Sequence, residues 1–125
     1  VLVVDDIDVN LYVAEALLEQ YDLRIELAGS GAEALKKIRE NHFDLVFMDH
    51  MMPGMNGSET ARAIRQLGGK FASLPIVMLT ANVVAENWEE YMREGMDDFL
   101  AKPIEPEKLE ALLDKWIPEN KKIRM

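Results

Sequence analysis

Short runs of apolar residues alternate with amphipathic stretches five times along the chain. Val1–Val4 is a continuous apolar run that stops at Asp5-Asp6. Leu45–Met48 stops at Asp49, Pro75–Leu79 at Thr80, and Asp98–Ala101 gives way to Lys102-Pro103. Leu23–Ala28 alternates Leu23, Ile25 and Leu27 with Arg24 and Glu26, which predicts a strand with one less buried face near a sheet edge. Between these runs, Asp8–Gln20 carries Val9, Val13, Ala16 and Leu17 at helical spacing, predicting a helix with that stripe inward. Ser30 fits an N-cap with Glu33 completing a capping box, and the helix behind it carries Ala32, Leu35 and Ile38. Asn56-Gly57 reads as a turn before a helix over Ser58–Leu67, with Ala61, Ile64 and Leu67 inward and Gly68-Gly69 as its stop. Glu86–Glu94 reads as a helix closed by Gly95. Pro106 suits the first turn of a last helix bearing Leu109, Leu112, Leu113, Trp116 and Ile117.

Strands that alternate with helices need crossover connections, which are right-handed and give a parallel sheet covered on both faces. Continuous apolar strands fit such a sheet better than a half-wet antiparallel one. The expected fold is therefore α/β, a doubly wound parallel sheet. Ligands of such folds sit outside the carboxyl ends of the strands. Asp5, Asp6, Asp49, Thr80 and Lys102 all fall at those ends.

Composition narrows the function. The chain has 125 residues, a one-domain length, with 23 acidic against 14 basic residues and a formal net charge of −9. That balance argues against direct nucleic-acid binding and against docking on anionic membranes. Cysteine is absent, so disulfides, thiol nucleophiles and Cys-ligated zinc are excluded, and a reducing, cytoplasmic setting is expected. No apolar run reaches bilayer length, so membrane insertion by this segment is not expected. The chain starts at Val1 without an initiator Met, which suggests that a few residues are missing before Val1 or that the domain was cut from a longer chain.

Three carboxylates brought to one rim repel one another, and their ionised forms are costly unless a cation joins them. An all-oxygen donor set suits a hard divalent ion, with Mg²⁺ the natural choice because it shares its shell with phosphoryl groups. Thr80 adds a hydroxyl donor and Lys102 a point charge for a phosphoryl oxygen. Together these groups suit phosphoryl transfer, and an aspartate can itself be the nucleophile.

Four segments in order resemble the receiver domains of two-component signalling. They are Val3-Val4-Asp5-Asp6, Asp44 through Gly57 around Met48-Asp49-His50-Met51-Met52-Pro53, Pro75 through Ala81, and Asp98-Phe99-Leu100-Ala101-Lys102-Pro103. The resemblance covers essentially the whole chain, with residues 1–118 as the receiver and 119–125 as a short polar tail. It implies a flavodoxin-like, CheY-like fold with five strands in the order 2-1-3-4-5 and five helices. It implies that Asp49 accepts a phosphoryl group from a phosphohistidine. Asp6, Asp49 and the backbone carbonyl of Met51 would hold Mg²⁺, with Asp5 acting through water. Thr80 and Lys102 would bind the phosphoryl group, Phe99 would be the aromatic switch, and Ala81, Asn82 and Pro103 would flank the site. The partners implied are a histidine kinase or histidine phosphotransfer protein. An output domain or target would meet the face made by the fourth helix, fifth strand and fifth helix, and homodimerisation is left open. Asp49-His50-Met51-Met52-Pro53 and the stretch Gly95 to Pro103 are most similar to receivers attached to hybrid histidine kinases. Phe99 lacks a hydroxyl, so a switch there is steric.

Competing readings remain. A Mg²⁺-dependent phosphohydrolase of the haloacid-dehalogenase type also uses an aspartate nucleophile, but Asp6-Ile7-Asp8 matches only its spacing and the chain has no room for a cap domain. A phosphorylation-independent interaction domain would lack one of the key residue types, and all are present. His42 and His50 read as surface side chains, with no ligand partner for His42. The methionines Met48, Met51, Met52 and Met55 read as packing. Trp88 and Tyr91 read as core or partner surface. Lys36, Lys37, Arg39 and Glu86, Glu89, Glu90, Glu94 read as solvated helix faces.

Overall fold

The structure, a computed structural model, describes residues 1–21, 23–80, 85–102 and 104–117. Ala81, Asn82, Pro103, the side chain of Trp88 and the tail 119–125 lie outside the described residues. The strands are β1 (Leu2–Val4), β2 (Glu26–Ala28), β3 (Val46–Asp49), β4 (Ile76–Thr80) and β5 (Asp98–Ala101). The helices are α1 (Asp8–Glu19), α2 (Gly31–Glu40), α3 (Gly57–Gln66), α4 (Ala85–Arg93) and α5 (Pro106–Trp116). All strand pairs are parallel, in the order β2-β1-β3-β4-β5. The expected strand order holds, with β2 at an edge.

Side chains alternate across each strand, so the central strands feed two cores. Leu2, Val4, Met48, Ile76 and Met78 pack with Ala34 and Ile38 of α2 and Ala61 and Ile64 of α3. Val3, Phe47, Val77, Leu79 and Leu100 pack with Leu11, Ala14 and Leu18 of α1 and Leu109, Leu112 and Leu113 of α5. Both sheet faces are dry, which is why the central strands read as unbroken apolar runs.

Several sequence expectations are corrected. In α1 the buried stripe is Leu11, Ala14 and Leu18, while Val9 and Val13 are exposed at 66% and 50%. Ala16 is exposed and Leu17 only half-buried. The helix is apolar on two faces, and the two leucines bury more surface against the sheet than the valines would. In α2, Ala34 replaces Ala32 inside, and Leu67 after α3 is 37% exposed. Ser30 caps α2 as expected, but the Glu33 carboxylate accepts from the N–H of Gly29 instead of Ser30. Asn56 is more than a turn residue: with Glu59 it forms a full capping box on α3. Lys37 is not simply solvated, since its ammonium donates to the Leu27 carbonyl at 2.6 Å. His42 pairs with Asp44 at 3.1 Å. Met48 and Met52 are core, whereas Met51 is 76% exposed.

Candidate functional site

Strand register brings the polar residues to one rim. Val4 is level with Met48, so Asp5 emerges beside Asp49. Asp49 is level with Leu79, which puts Thr80 one step further out. Thr80 is level with Ala101, and Lys102 follows, its N–H donating to the Thr80 carbonyl at 2.9 Å. A parallel sheet with these lengths therefore delivers Asp5, Asp49, Thr80 and Lys102 to the same end of the molecule.

Asp5 and Asp49 are 1% and 4% exposed, whereas Asp6 is open to solvent. One carboxylate oxygen from each of the three lies within 4.8 Å of the others. The Lys102 ammonium bridges Asp49 Oδ1 at 2.7 Å and Asp5 Oδ2 at 3.0 Å. Asp5 is held further by the N–H of Ile7, which donates to its Oδ1 at 3.0 Å. One ammonium thus faces three carboxylates, and the cluster keeps an excess of negative charge. Burial, with the charges of Asp5 and Asp6 added to it, pushes the Asp49 carboxyl above its ordinary range, against the lowering effect of Lys102. Burial works to lower the Lys102 ammonium, but its bonds to Asp49 and Asp5 outweigh that and raise it above the ordinary lysine range.

The loop after β3 is drawn in tightly. Gly57 donates its N–H to the His50 carbonyl at 3.0 Å, and a Cβ there would run into the Asp49 carbonyl oxygen. His50 turns from the carboxylates and meets the Tyr91 ring edge-on, with centroids 5.0 Å apart. Phe99 is level with Met78 and lies on the sheet face that carries Thr80, partly buried against the core under α2 and α3. Beside the cluster, Ile7 and Met51 are 52% and 76% exposed, and Val9, Tyr12 and Val13 extend this apolar surface along one side of α1. The sequence reading put Val9 and Val13 inside and missed this surface. The signal was the second stripe, Leu11, Ala14 and Leu18, which left Val9 and Val13 with nowhere to be buried.

The profile of the response regulator receiver domain matches residues 1–114. The chain is 41% identical over 118 residues to the sensor histidine kinase GacS of Pseudomonas protegens, across 93% of this chain and 13% of that protein. It is 39% identical over 118 residues to the signal transduction histidine-protein kinase BarA of Escherichia coli, across 94% of this chain and 13% of that protein. It therefore spans 13% of the length of these kinases. Among solved structures, the receiver domain of sensor histidine kinase PA1611 from Pseudomonas aeruginosa, with a magnesium ion coordinated in its active-site cleft, superposes with a TM-score of 0.83 at 34% identity, covering 93% of this chain and 94% of that one. The chemotaxis protein CheY4 of Vibrio cholerae gives 0.83 at 33% identity, covering 93% and 96%. With the five-stranded fold and the rim of aspartates on one side and these matches on the other, the chain belongs to the response regulator receiver domains of two-component systems.

Proposed function

We propose that Asp49 is the phosphoryl acceptor of this receiver and that residues 1–118 make up the functional unit, with 119–125 as a polar tail. The observation that carries this reading is the Asp49 carboxylate, 4% exposed at the end of β3 and joined to Lys102 at 2.7 Å beside two further aspartates. With Oδ1 bound by Lys102, Oδ2 attacks the phosphorus of a phosphohistidine. The P–N bond breaks, and its electron pair returns to the imidazole nitrogen. Lys102 then shifts its charge to a phosphoryl oxygen, and the Thr80 hydroxyl donates to another.

Mg²⁺ fits this cluster: the donors are all oxygen, two of the three carboxylates are buried, and Lys102 offsets only one charge. Asp6, Asp49 and the Met51 carbonyl would hold it, with Asp5 acting through water. When bound it neutralises the carboxylates and orients the phosphoryl oxygens.

A protein donor, a histidine kinase or histidine phosphotransfer protein, suits the apolar surface of Ile7, Val9, Tyr12, Val13 and Met51 beside the carboxylates. A hybrid sensor kinase is the context that the relatives favour, and a cytoplasmic location follows from it. Among the described residues no helix is long and apolar enough to cross a membrane. The phosphorylated form switches the α4-β5-α5 face, where an output domain or target binds. The domain accepts a phosphoryl group and slowly hydrolyses it, and does not turn over small phosphomonoesters.

The test is intact mass after incubation with acetyl phosphate and Mg²⁺. We expect the gain of one phosphoryl mass, absent without Mg²⁺ and absent in Asp49→Asn. Labelling that persists in Asp49→Asn would move the acceptor elsewhere. No labelling of the parent beside a labelled control receiver would favour a phosphorylation-independent interaction domain.

A further inference from the structure

At the pole of the sheet opposite the carboxylates, Arg65 in the last turn of α3 holds a hub of hydrogen bonds. Its Nε and Nη2 donate to the Gly95 carbonyl at 3.2 and 2.6 Å, and its Nη1 to the Phe71 and Leu74 carbonyls at 3.0 and 2.6 Å. Nη2 also donates to Asp97 Oδ2 at 2.7 Å. The same carboxylate oxygen accepts the Ile76 N–H at 2.8 Å, while the Asp97 N–H donates to the Ile76 carbonyl at 2.8 Å. One guanidinium thus joins the end of α3, the chain entering β4, the turn after α4 and the residue before β5. The side chains of Arg65 and Asp97 are 20% and 34% exposed, so these bonds are partly shielded from water.

The hub matters because β5 is an edge strand, paired only with β4. A slip of one residue there reverses every side chain of the strand. Asp97 lies immediately before β5, and Lys102 immediately after it. We propose that Arg65 is a positioning residue for Lys102: by locking Asp97 to Ile76 it sets the register of β5, and the strand then carries Lys102 to Asp49 and Asp5. A lysine at this position has no fork with which to span three carbonyls and a carboxylate. The consequence for phosphoryl transfer rests on the role proposed above for Lys102, but the register lock does not.

The experiment is residue-resolved amide exchange on the full chain without Mg²⁺ or phosphoryl donor, for the parent, Arg65→Met and Asp97→Asn. In Arg65→Met we expect the Ile76, Asp97 and Lys102 amides to exchange about tenfold faster, with Val3 and Phe47 unchanged. Asp97→Asn keeps an acceptor for Ile76 and should loosen the same amides less. Phosphoryl uptake from acetyl phosphate should slow about tenfold in Arg65→Met, beyond the effect in Leu17→Ala, a variant in α1 on the other face of the sheet. A Lys102 amide as protected as in the parent, while Ile76 and Asp97 loosen, would overturn the proposal. So would uptake no slower than in Leu17→Ala. If Arg65→Met does not fold, Arg65→Lys and Asp97→Asn give the same exchange readout. If the parent takes up no phosphoryl group and the Lys102 amide still loosens, the lock stands and the proposed acceptor role falls.

Discussion

The Asp49 carboxylate is crowded by two other aspartates and steadied by one lysine, and its protonation follows from that crowding. Its value in the folded chain lies above 3.8, chiefly through burial, so ionisation costs more in the folded than in the unfolded state. That contribution is most favourable to folding below pH 3.8 and is lost as pH rises through the folded value, the reverse of a salt-bridged aspartate with a depressed value. We therefore expect metal-free Asp49→Asn to be more stable than the parent at neutral pH, with the gap closing as pH falls towards the ordinary carboxylate range. Urea denaturation in chelator at a series of pH values measures this, and a gap that widens on acidification would contradict it. Gly57 acts at the same scale through sterics. Gly57→Ala forces its Cβ against the Asp49 carbonyl, and we expect a loss of about 2 kcal/mol in urea denaturation.

Among the elements, α1 has two apolar faces, one buried against the sheet and one exposed. Leu18 is 1% exposed, and Leu18→Ala should cost about 3 kcal/mol through the cavity it leaves. Tyr12 and Val13 are 62% and 50% exposed. Tyr12→Ser with Val13→Ser should change stability by roughly 0.5 kcal/mol or less. The same pair should leave labelling by acetyl phosphate intact yet slow transfer from a phosphohistidine protein, which stopped-flow mixing would resolve. Equal rates from the protein donor would remove α1 from the docking surface. The C-terminal part of α5 has its own anchor, since the Trp116 indole N–H donates to Asp98 Oδ2 at 3.0 Å. That bond ties α5 to the first residue of β5, so the two move together if the face responds to phosphorylation.

Across the whole molecule, the proposed switch would turn a charge at one rim of the sheet into a change on one side. Thr80 and Phe99 lie on the same sheet face, on neighbouring strands, with Phe99 partly buried. In the proposed switch, drawing the Thr80 hydroxyl towards a phosphoryl group on Asp49 would clear space along that face into which Phe99 would turn, a shift between two arrangements of one fold. Thr80→Ala should leave Asp49 able to take up the phosphoryl group while weakening the response at β5 and α5. Amide chemical shifts before and after phosphorylation report this, and a full response in the variant would disprove the relay through Thr80.

The periodicity of the chain determined the class of fold and the rim on which the polar residues gather. Buried parallel strands leave a continuous apolar run, and each run ends at a polar residue of the rim: Asp5, Asp49, Thr80 or Lys102. Their types and order were legible because a strand end is a local feature. What lay beyond local pattern was decided by packing. Which face of α1 turns inward depends on the sheet it meets, so Val9 and Val13 went to solvent and Leu11 and Leu18 to the core. Arg65 carries no motif, because its carbonyl partners Phe71, Leu74 and Gly95 are backbone groups that any residue could supply. The bridge from Lys102 to Asp5 joins residues 97 positions apart, and only the assembled sheet brings them together. Sequence carries side-chain chemistry and local period, whereas distances between remote elements and the identity of the buried face arise only when the elements pack.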